Sequence, residues 1–517
     1  MNNILSYTLF SPFIGMAILP FVNRGKTTAV KIVGIASSVL TFLLSLVVYF
    51  SFDPSNTQLQ FVNRVAWIQR LDISYAVGID GLSLLLVILT TFLTPIALLS
   101  SWNSITVRLK EYVFFILLLE FGMLGVFLAS DLFLFYVFWE AMLIPMYFII
   151  GIWGGQDKIY AAVKFFLYTM SGSLLMLIAI LSLGYYASTV PGGHFTTNLA
   201  MLYQIAPGIP RNIQTWMFLA FTLSFAIKIP LFPFHTWLPD AHVQAPTAGS
   251  VILAAVLLKM GTYGLLRFCL PLFPQGSIEF TPLLSTLAVI GIVYGALVAM
   301  VQTDIKKLVA YSSVSHLGFV VLGIFSMTEE GIQGAMIQMI NHGLSTGALF
   351  LIVGMLYDRR HTRDISQFGG LSARLPVFAT LFMIVMLSSI GLPGLNGFVG
   401  EFLILLGSFK STLLGSHVYT IIAASGVIFA AVYMLWMFQR VMFGKLTNPA
   451  NQSLHDLSGR EIAVLVPIIV FIVWIGVYPS TFLKSSAAST RQIVRVLEQA
   501  RSGEIHSSLA KTAQSIR

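Results

Sequence analysis

Apolar stretches long enough to cross a bilayer recur from one end of this chain to the other, and no other feature narrows its fold as much. They can be read at roughly 4–22, 29–50, 79–100, 111–130, 132–150, 161–186, 212–240, 247–268, 281–301, 305–327, 333–357, 375–410, 416–440 and 462–480. A helix needs about 20 apolar residues to span the hydrocarbon. Only 9% of the 517 residues are charged, against roughly a quarter in a soluble domain. So few charges cannot build a water-compatible surface, so the solvent is lipid. Backbone in lipid must satisfy its own hydrogen bonds. The expectation is an all-α integral membrane protein of about fourteen transmembrane helices.

The net charge of +9 does not point to nucleic acid. Most Lys and Arg fall in the short loops between runs, where they orient a membrane protein. When alternate loops are assigned to opposite faces, fifteen basic residues lie on one face and five on the other. The richer face is then cytoplasmic and the N-terminus periplasmic. The first run, Ile4 to Phe21, is followed by Arg24 and Lys26 and preceded by no basic residue. A secretory signal has the opposite polarity, so this run reads as a retained helix. The tail adds six basic residues on the poorer face, against that trend. Cys269 is the single cysteine, which permits no internal disulfide and no thiolate metal site.

Two runs are too long and are interrupted. The seventh carries Pro230 and Pro233, and the twelfth carries Gly391 and Pro393 within Gly391-Leu-Pro-Gly-Leu-Asn-Gly397. Proline removes a backbone donor and clashes with the preceding turn, so both helices should break near mid-membrane. Unwound backbone at that depth is tolerated only inside protein or beside a water-filled cavity. Broken helices at matching places in two halves point to an inverted-repeat transporter and its ion site. After Pro479 a segment near 483–500 is too short and too polar to span. It reads as an interfacial helix, with a disordered stretch as the other reading for the last dozen residues.

Charges at the bilayer centre cost several kcal/mol and mark function by default. Six Lys or Glu residues lie well within the runs: Glu120, Glu140, Lys164, Lys228, Lys259 and Glu401. Burial disfavours the charged form of such a group, and a nearby opposite charge restores it. A lysine whose acidic partner comes and goes can therefore swing between holding and releasing a proton. Glu140, Lys228, Lys259 and Glu401 supply two acids and two bases at membrane-centre depth, more than packing requires. The other reading is a static buried ion pair, but such pairs are poor stabilisers. Glu120 and Lys164 lie nearer helix ends and fit either a relay or an anchor, with Lys164 able to snorkel. His316 and His342, inside the tenth and eleventh runs, titrate near neutrality and fit a relay or a satisfied core. His235 and His242 flank Trp237-Leu-Pro-Asp240, and their spacing matches no metalloprotease motif. Asp304, Lys306 and Lys307 read as a topology signal. No metal site, phosphate loop, haem-ligand motif or iron–sulfur cysteine set is present in the sequence, so redox cofactors would belong to other chains.

At these residues the chain becomes recognisable. Phe225-Ala-Ile-Lys228-Ile-Pro230, His235-Thr-Trp-Leu-Pro-Asp-Ala-His242, Gln244-Ala-Pro-Thr-Ala-Gly-Ser250 and Leu258-Lys-Met-Gly-Thr-Tyr-Gly264 resemble the signature of a known family. It comprises the antiporter-like subunits of respiratory complex I and Mrp-type cation/proton antiporters. Phe133-Leu-Phe-Tyr-Val-Phe-Trp-Glu140, Gln302-Thr-Asp-Ile-Lys-Lys307, Tyr311-Ser-Ser-Val-Ser-His316 and Gly397-Phe-Val-Gly-Glu401-Phe402 look like a membrane-arm member of bacterial NADH–quinone oxidoreductase. The similarity runs from about residue 75 to 480. Glu401 sets the chain apart, because the sister subunits and Mrp relatives carry Lys in the twelfth helix.

The resemblance implies that Glu140 and Lys228 form an input pair, Lys259 the central relay and Glu401 the exit. It implies two inverted five-helix repeats. The chain then divides into an N-terminal segment, 1–110, two antiporter-like halves, 111–268 and 269–440, and a last helix with its tail, 441–517. NADH, FMN, iron–sulfur clusters and quinone would sit in other subunits. The partners would be other membrane-arm subunits, neighbouring antiporter-like subunits among them, and lipids. The site would be a bacterial inner membrane. Two alternatives stand beside a proton-pumping subunit: a stand-alone Mrp-type Na⁺/H⁺ antiporter component, and a non-conducting scaffold. Copurification with NADH dehydrogenase activity separates the first from the complex subunit.

Overall fold

The computed structural model describes residues 3–502. The chain is mostly helical, and eleven of its helices are long and apolar enough to cross a membrane. Two shorter apolar helices, Leu84–Ser100 and Pro376–Ile390, accompany them. Three helices form the centre. The middle stretches of Thr247–Leu272 and Glu329–Arg360 are wholly buried, and that of Ile305–Phe325 is 94% buried. At the periphery, Thr27–Ser51 and Gly459–Val477 bury only 33% of theirs. They turn Leu43, Val47, Val470 and Trp474 outward, as side chains facing lipid must be. The polar residues of the apolar runs thus gather in the helices that lipid does not reach.

Helix starts follow local chemistry. Asp131 caps the Leu132–Ala141 helix by accepting from the amides of Phe133 and Leu134. Asp304 does the same for Lys306 and Lys307 and pairs with Arg363 at 3.1 Å. Ser458 and Glu461 form a capping box, a reciprocal arrangement that satisfies two orphan amides. Asp304 therefore does more than mark topology.

Both expected breaks are present. The Arg211–Lys228 helix stops at Lys228 and resumes only as Trp237–Gln244. The Trp237 indole N–H donates to the carbonyl of Ile227 at 2.8 Å, occupying an acceptor that the proline interruption frees. The other helix ends at Ile390 and restarts at Asn396. Gly391 takes a φ of 84° there, a left-handed conformation that glycine adopts without steric cost. The Asn341 side chain donates to the carbonyl of Asn396 at 2.7 Å. Asn396 Oδ1 accepts from Ser345 at 3.3 Å and from Ser388. The unwound turn is thereby stitched into the protein interior.

Four features depart from the sequence-based expectations. The chain is not purely α: β1 (Gln60–Ile68) and β2 (Ile73–Ile79) form an antiparallel hairpin. Asp131 fastens it, accepting from the Ser74 amide at 3.2 Å and from Thr197 at 2.8 Å. Second, the Lys259 helix is interrupted by π-helical segments at Leu253–Leu257 and Leu265–Cys269, a local widening often found at functional sites. Third, Arg267, one of the five basic residues assigned to the poorer face, lies buried within that helix. It binds Asp80 in a two-pronged ion pair. Lys306 is buried as well and donates to the carbonyl of Ala245 at 2.6 Å. Fourth, Glu120 is not near a helix end but at the twelfth position of the 20-residue helix Leu109–Leu128.

A cavity of about 1040 Å³ defines one face. Ile105, Asp157, Gln244, Asp304, Asp364 and Arg460 line it, and every one comes from a loop or helix end on the lysine- and arginine-rich side. The hairpin occupies the opposite face. The Ser480–Ser502 helix lies there too. Gln275 donates to its Ala500 carbonyl at 2.9 Å, and Arg501 donates to Thr412. The last dozen residues lie outside the described part of the chain.

Candidate functional site

The break in the twelfth run aims Glu401 inward from the first turns of the Asn396–Lys410 helix. Its Oε1 lies 3.2 Å from His316 Nδ1 and accepts from the Gln338 amide at 3.3 Å. Gly391 makes room for it, since a Cβ there would sit 2.8 Å from Glu401 Oε2. His316 Nε2 faces Ser389 at 3.4 Å. The His316 and His342 rings stand 5.8 Å apart. A cavity of about 10 Å³ lies beside both, lined also by Asn341, Ser388 and Ser389. That is about the volume one water molecule needs, and the lining supplies polar partners.

His342 Nδ1 lies 2.5 Å from Lys259 Nζ, which is also 2.5 Å from the carbonyl of Ala254. That carbonyl belongs to the first π-helical segment. His342 Nε2, on the other side of the ring, has no partner among the described residues. Lys259, His342, His316 and Glu401 all have at most 4% of their surface exposed. Together they make a line of titratable groups through the centre of the bundle.

Lys228 and Glu140 are arranged differently. The Lys228 ammonium is buried with Met142 Sδ at 3.7 Å and the rings of Trp139 and Phe165 each at 5.4 Å. Glu140 stands in the chain between Trp139 and Met142, which touch the ammonium, yet no ion pair within 4.0 Å joins it to Lys228 among the described residues. Glu140 Oε1 is buried without a partner. Gly261, two residues past Lys259, lets the end of the Lys228 helix approach. A Cβ there would fall 2.6 Å from Ile229 and 2.7 Å from the Phe225 carbonyl. The two lysines are thus carried by helices in tight contact.

The remaining candidates scatter. Glu120 is wholly buried and neither oxygen is hydrogen-bonded among the described residues. Lys164 pairs with Asp240 at 2.7 Å and is partly exposed. His235 stacks against Phe232 and meets Tyr294 edge-on. His242 is buried against the Phe350 ring, 4.5 Å between centroids, and both its nitrogens lack partners among the described residues. Sequence reasoning missed Gln338, Asn341, Asn396, Ser345, Ser388 and Ser389. A signal existed for some: Gln338 stands four residues before His342, hence on its helix face.

A bundle with two broken helices and a buried run of Lys, His and Glu defines an antiporter-like, ion-translocating membrane protein. Residues 129–425 match the family described as NADH:quinone oxidoreductase/Mrp antiporter, transmembrane. Subunit M of NADH-quinone oxidoreductase from Rhodobacter capsulatus is 47% identical over 506 residues, covering 96% of this chain and 97% of the relative. NADH-ubiquinone oxidoreductase chain 4 of Arabidopsis thaliana is 45% identical over 492 residues, 95% of this chain and 97% of its own. A chain of respiratory complex I from Thermus thermophilus superposes with a TM-score of 0.85 at 32% identity, covering 95% of this chain and 99% of that one. A chain of the Mrp complex from Dietzia gives 0.80 at 25% identity, covering 94% of this chain but 52% of that one. The chain belongs to the subunit M family of NADH–quinone oxidoreductases.

Proposed function

We propose that this chain moves protons across the membrane as an antiporter-like subunit of NADH:quinone oxidoreductase, while NADH oxidation and quinone reduction occur in other subunits. The observation that carries the reading is the unbroken line from Lys259 through His342 and His316 to Glu401. Each of these groups can take or give a proton, and neighbours lie at hydrogen-bond distance or across a one-water gap. Proton transfer needs such reach, directly or through one water. The relatives' names support the assembly in which this happens.

In this reading the input lies in the first half, 111–268, and the exit in the second, 269–440. About fourteen helices, counting the two broken ones once each, form two inverted five-helix repeats in a bacterial inner membrane with the N-terminus periplasmic. Approach of Glu140 to Lys228 holds the lysine's proton, and separation releases it toward Lys259. The gap between them in this structure corresponds to the separated arrangement. Glu401 then passes a proton to the hairpin face. Glu120 and His242, buried with no hydrogen-bond partner among the described residues, are secondary members of the relay; Lys164 pairs with Asp240, and His235, whose Nδ1 is likewise unpartnered there, stacks on Phe232. Neighbouring antiporter-like subunits and lipids cover the outward apolar helices.

His316→Phe tests the line where it is thinnest. Phenylalanine keeps the ring and removes both nitrogens. NADH-driven pumping in the reconstituted complex should fall about tenfold, the cost of roughly 1.4 kcal/mol on a barrier, with assembly retained. Unchanged pumping would exclude His316 from the path.

A further inference from the structure

The relay reading leaves a shorter way out for a proton on Lys259. Its helix runs from the cavity face at Thr247 to the hairpin face at Leu272. Arg267 stands eight residues further along, roughly 12 Å up the axis. A proton leaving there would bypass His342, His316 and Glu401 altogether.

That way is filled by a buried ion pair and the hydrogen-bonded groups that hold it. Arg267 has 7% of its surface exposed and Asp80 4%. The guanidinium donates to Asp80 Oδ2 at 2.7 Å and Oδ1 at 2.5 Å, and its Nε–H to the Tyr263 hydroxyl at 3.1 Å. Tyr263 donates in turn to the carbonyl of Phe127 at 3.2 Å. Asp80 Oδ1 also accepts from the amides of Leu82 and Ser83. The Tyr203 hydroxyl donates to the Arg267 carbonyl at 2.6 Å. Gly81 beside Asp80 packs so closely on the Ser480–Ser502 helix that a Cβ would meet the Ser485 backbone, which covers the layer from the hairpin face.

The relay differs from this layer. Along the relay, Glu140 Oε1, His342 Nε2 and Asn341 Oδ1 are buried with no partner among the described residues; so are both nitrogens of His242 and, elsewhere, atoms such as Ser489 Oγ and Thr490 Oγ1 of the Ser480–Ser502 helix. Among the described residues, Asp80, Arg267, Tyr263 and Tyr203 have no such atom. A proton hops only where a lone pair is free to receive it. To cross this layer it must first break a buried ion pair in a low-dielectric interior, a strongly unfavourable step.

We propose that Asp80, Arg267 and Tyr263 form a fixed seal that closes the direct exit from Lys259 to the hairpin face and so obliges protons to take the line to Glu401. The seal rests on the relay reading, because it matters only if Lys259 carries protons.

The test uses the whole complex in proteoliposomes carrying Arg267→Ala, with Asp80→Asn as a second variant should the first fail to assemble. Passive proton entry under an imposed pH gradient, without NADH, should rise severalfold. Protons pumped per electron should fall while NADH oxidation continues. Adding Lys259→Met should return the leak to the wild-type level, whereas a merely loosened structure would leak regardless of residue 259. A wild-type leak in the assembled variant, or a leak that Lys259→Met leaves unchanged, overturns the seal. Pumping by Lys259→Met alone reports on the relay reading separately.

Discussion

Proton pumping by the reconstituted complex collapses in Glu140→Gln and in Lys228→Ala. Lys228 has no oxygen acceptor among the described residues and meets only a thioether and two aromatic rings. A charge in such a place is costly unless a partner comes to it, and Glu140 is carried between Trp139 and Met142, the residues that touch the ammonium. Losing the partner's charge in a low-dielectric site changes the cost of the lysine's proton by several kcal/mol, and each 1.4 kcal/mol on a barrier is about tenfold in rate. Either variant should therefore lower pumping by more than roughly a hundredfold. Deamino-NADH oxidation, which is coupled to pumping, should fall with it. Glutamine preserves the shape of Glu140 and removes its charge. A loss in Glu140→Gln therefore speaks to charge and not to packing. Wild-type pumping in both variants would remove the input pair from the account.

The second large effect is expected at the centre. Lys259→Met should leave the complex assembled and stop pumping. Methionine is unbranched and adaptable in a core, and replacing a buried ionic group by an apolar one of similar volume is often neutral or stabilising by about 1–4 kcal/mol. Assembly, measured by copurification of the other subunits, should therefore survive. The contact to His342 Nδ1 is lost outright, and the line from the first half to Glu401 loses its entry. Proton uptake, followed with a pH-sensitive dye in proteoliposomes, should drop to the passive leak. A scaffold would give the reverse: lost assembly, with normal pumping in whatever complex remained.

Much of this was legible in the sequence because lipid is a strict solvent. Apolar length alone located the helices, and Pro230, Pro233, Gly391 and Pro393 located both breaks. The rarity of charge made Glu140, Lys228, Lys259 and Glu401 conspicuous. What stayed hidden depends on contacts between distant segments. Asp80 and Arg267 are 187 positions apart, and nothing local in Arg267 separates a sealed ion pair from a loop cation. The π-helical segment Leu253–Leu257 contains only Leu, Ala and Val, so no residue announces it. The hairpin falls between two apolar runs, and the outward residues of β1 include Val62, Val65 and Trp67. Its alternation of burial is too weak to reveal a strand. Glu120 reads from the sequence as nearer a helix end, and its burial at the twelfth position of the Leu109–Leu128 helix rules out an anchor at the water boundary.

The central claim is that buried Glu, Lys and His side chains carry H⁺ along a hydrated line. A structure of the intact complex, resolving water in both its oxidised and NADH-reduced states, tests it most directly. The account predicts a water between His342 Nε2 and His316, and further waters joining Glu140, Lys228 and Lys259 in at least one state. Apolar side chains or lipid closing both intervals in both states would contradict it.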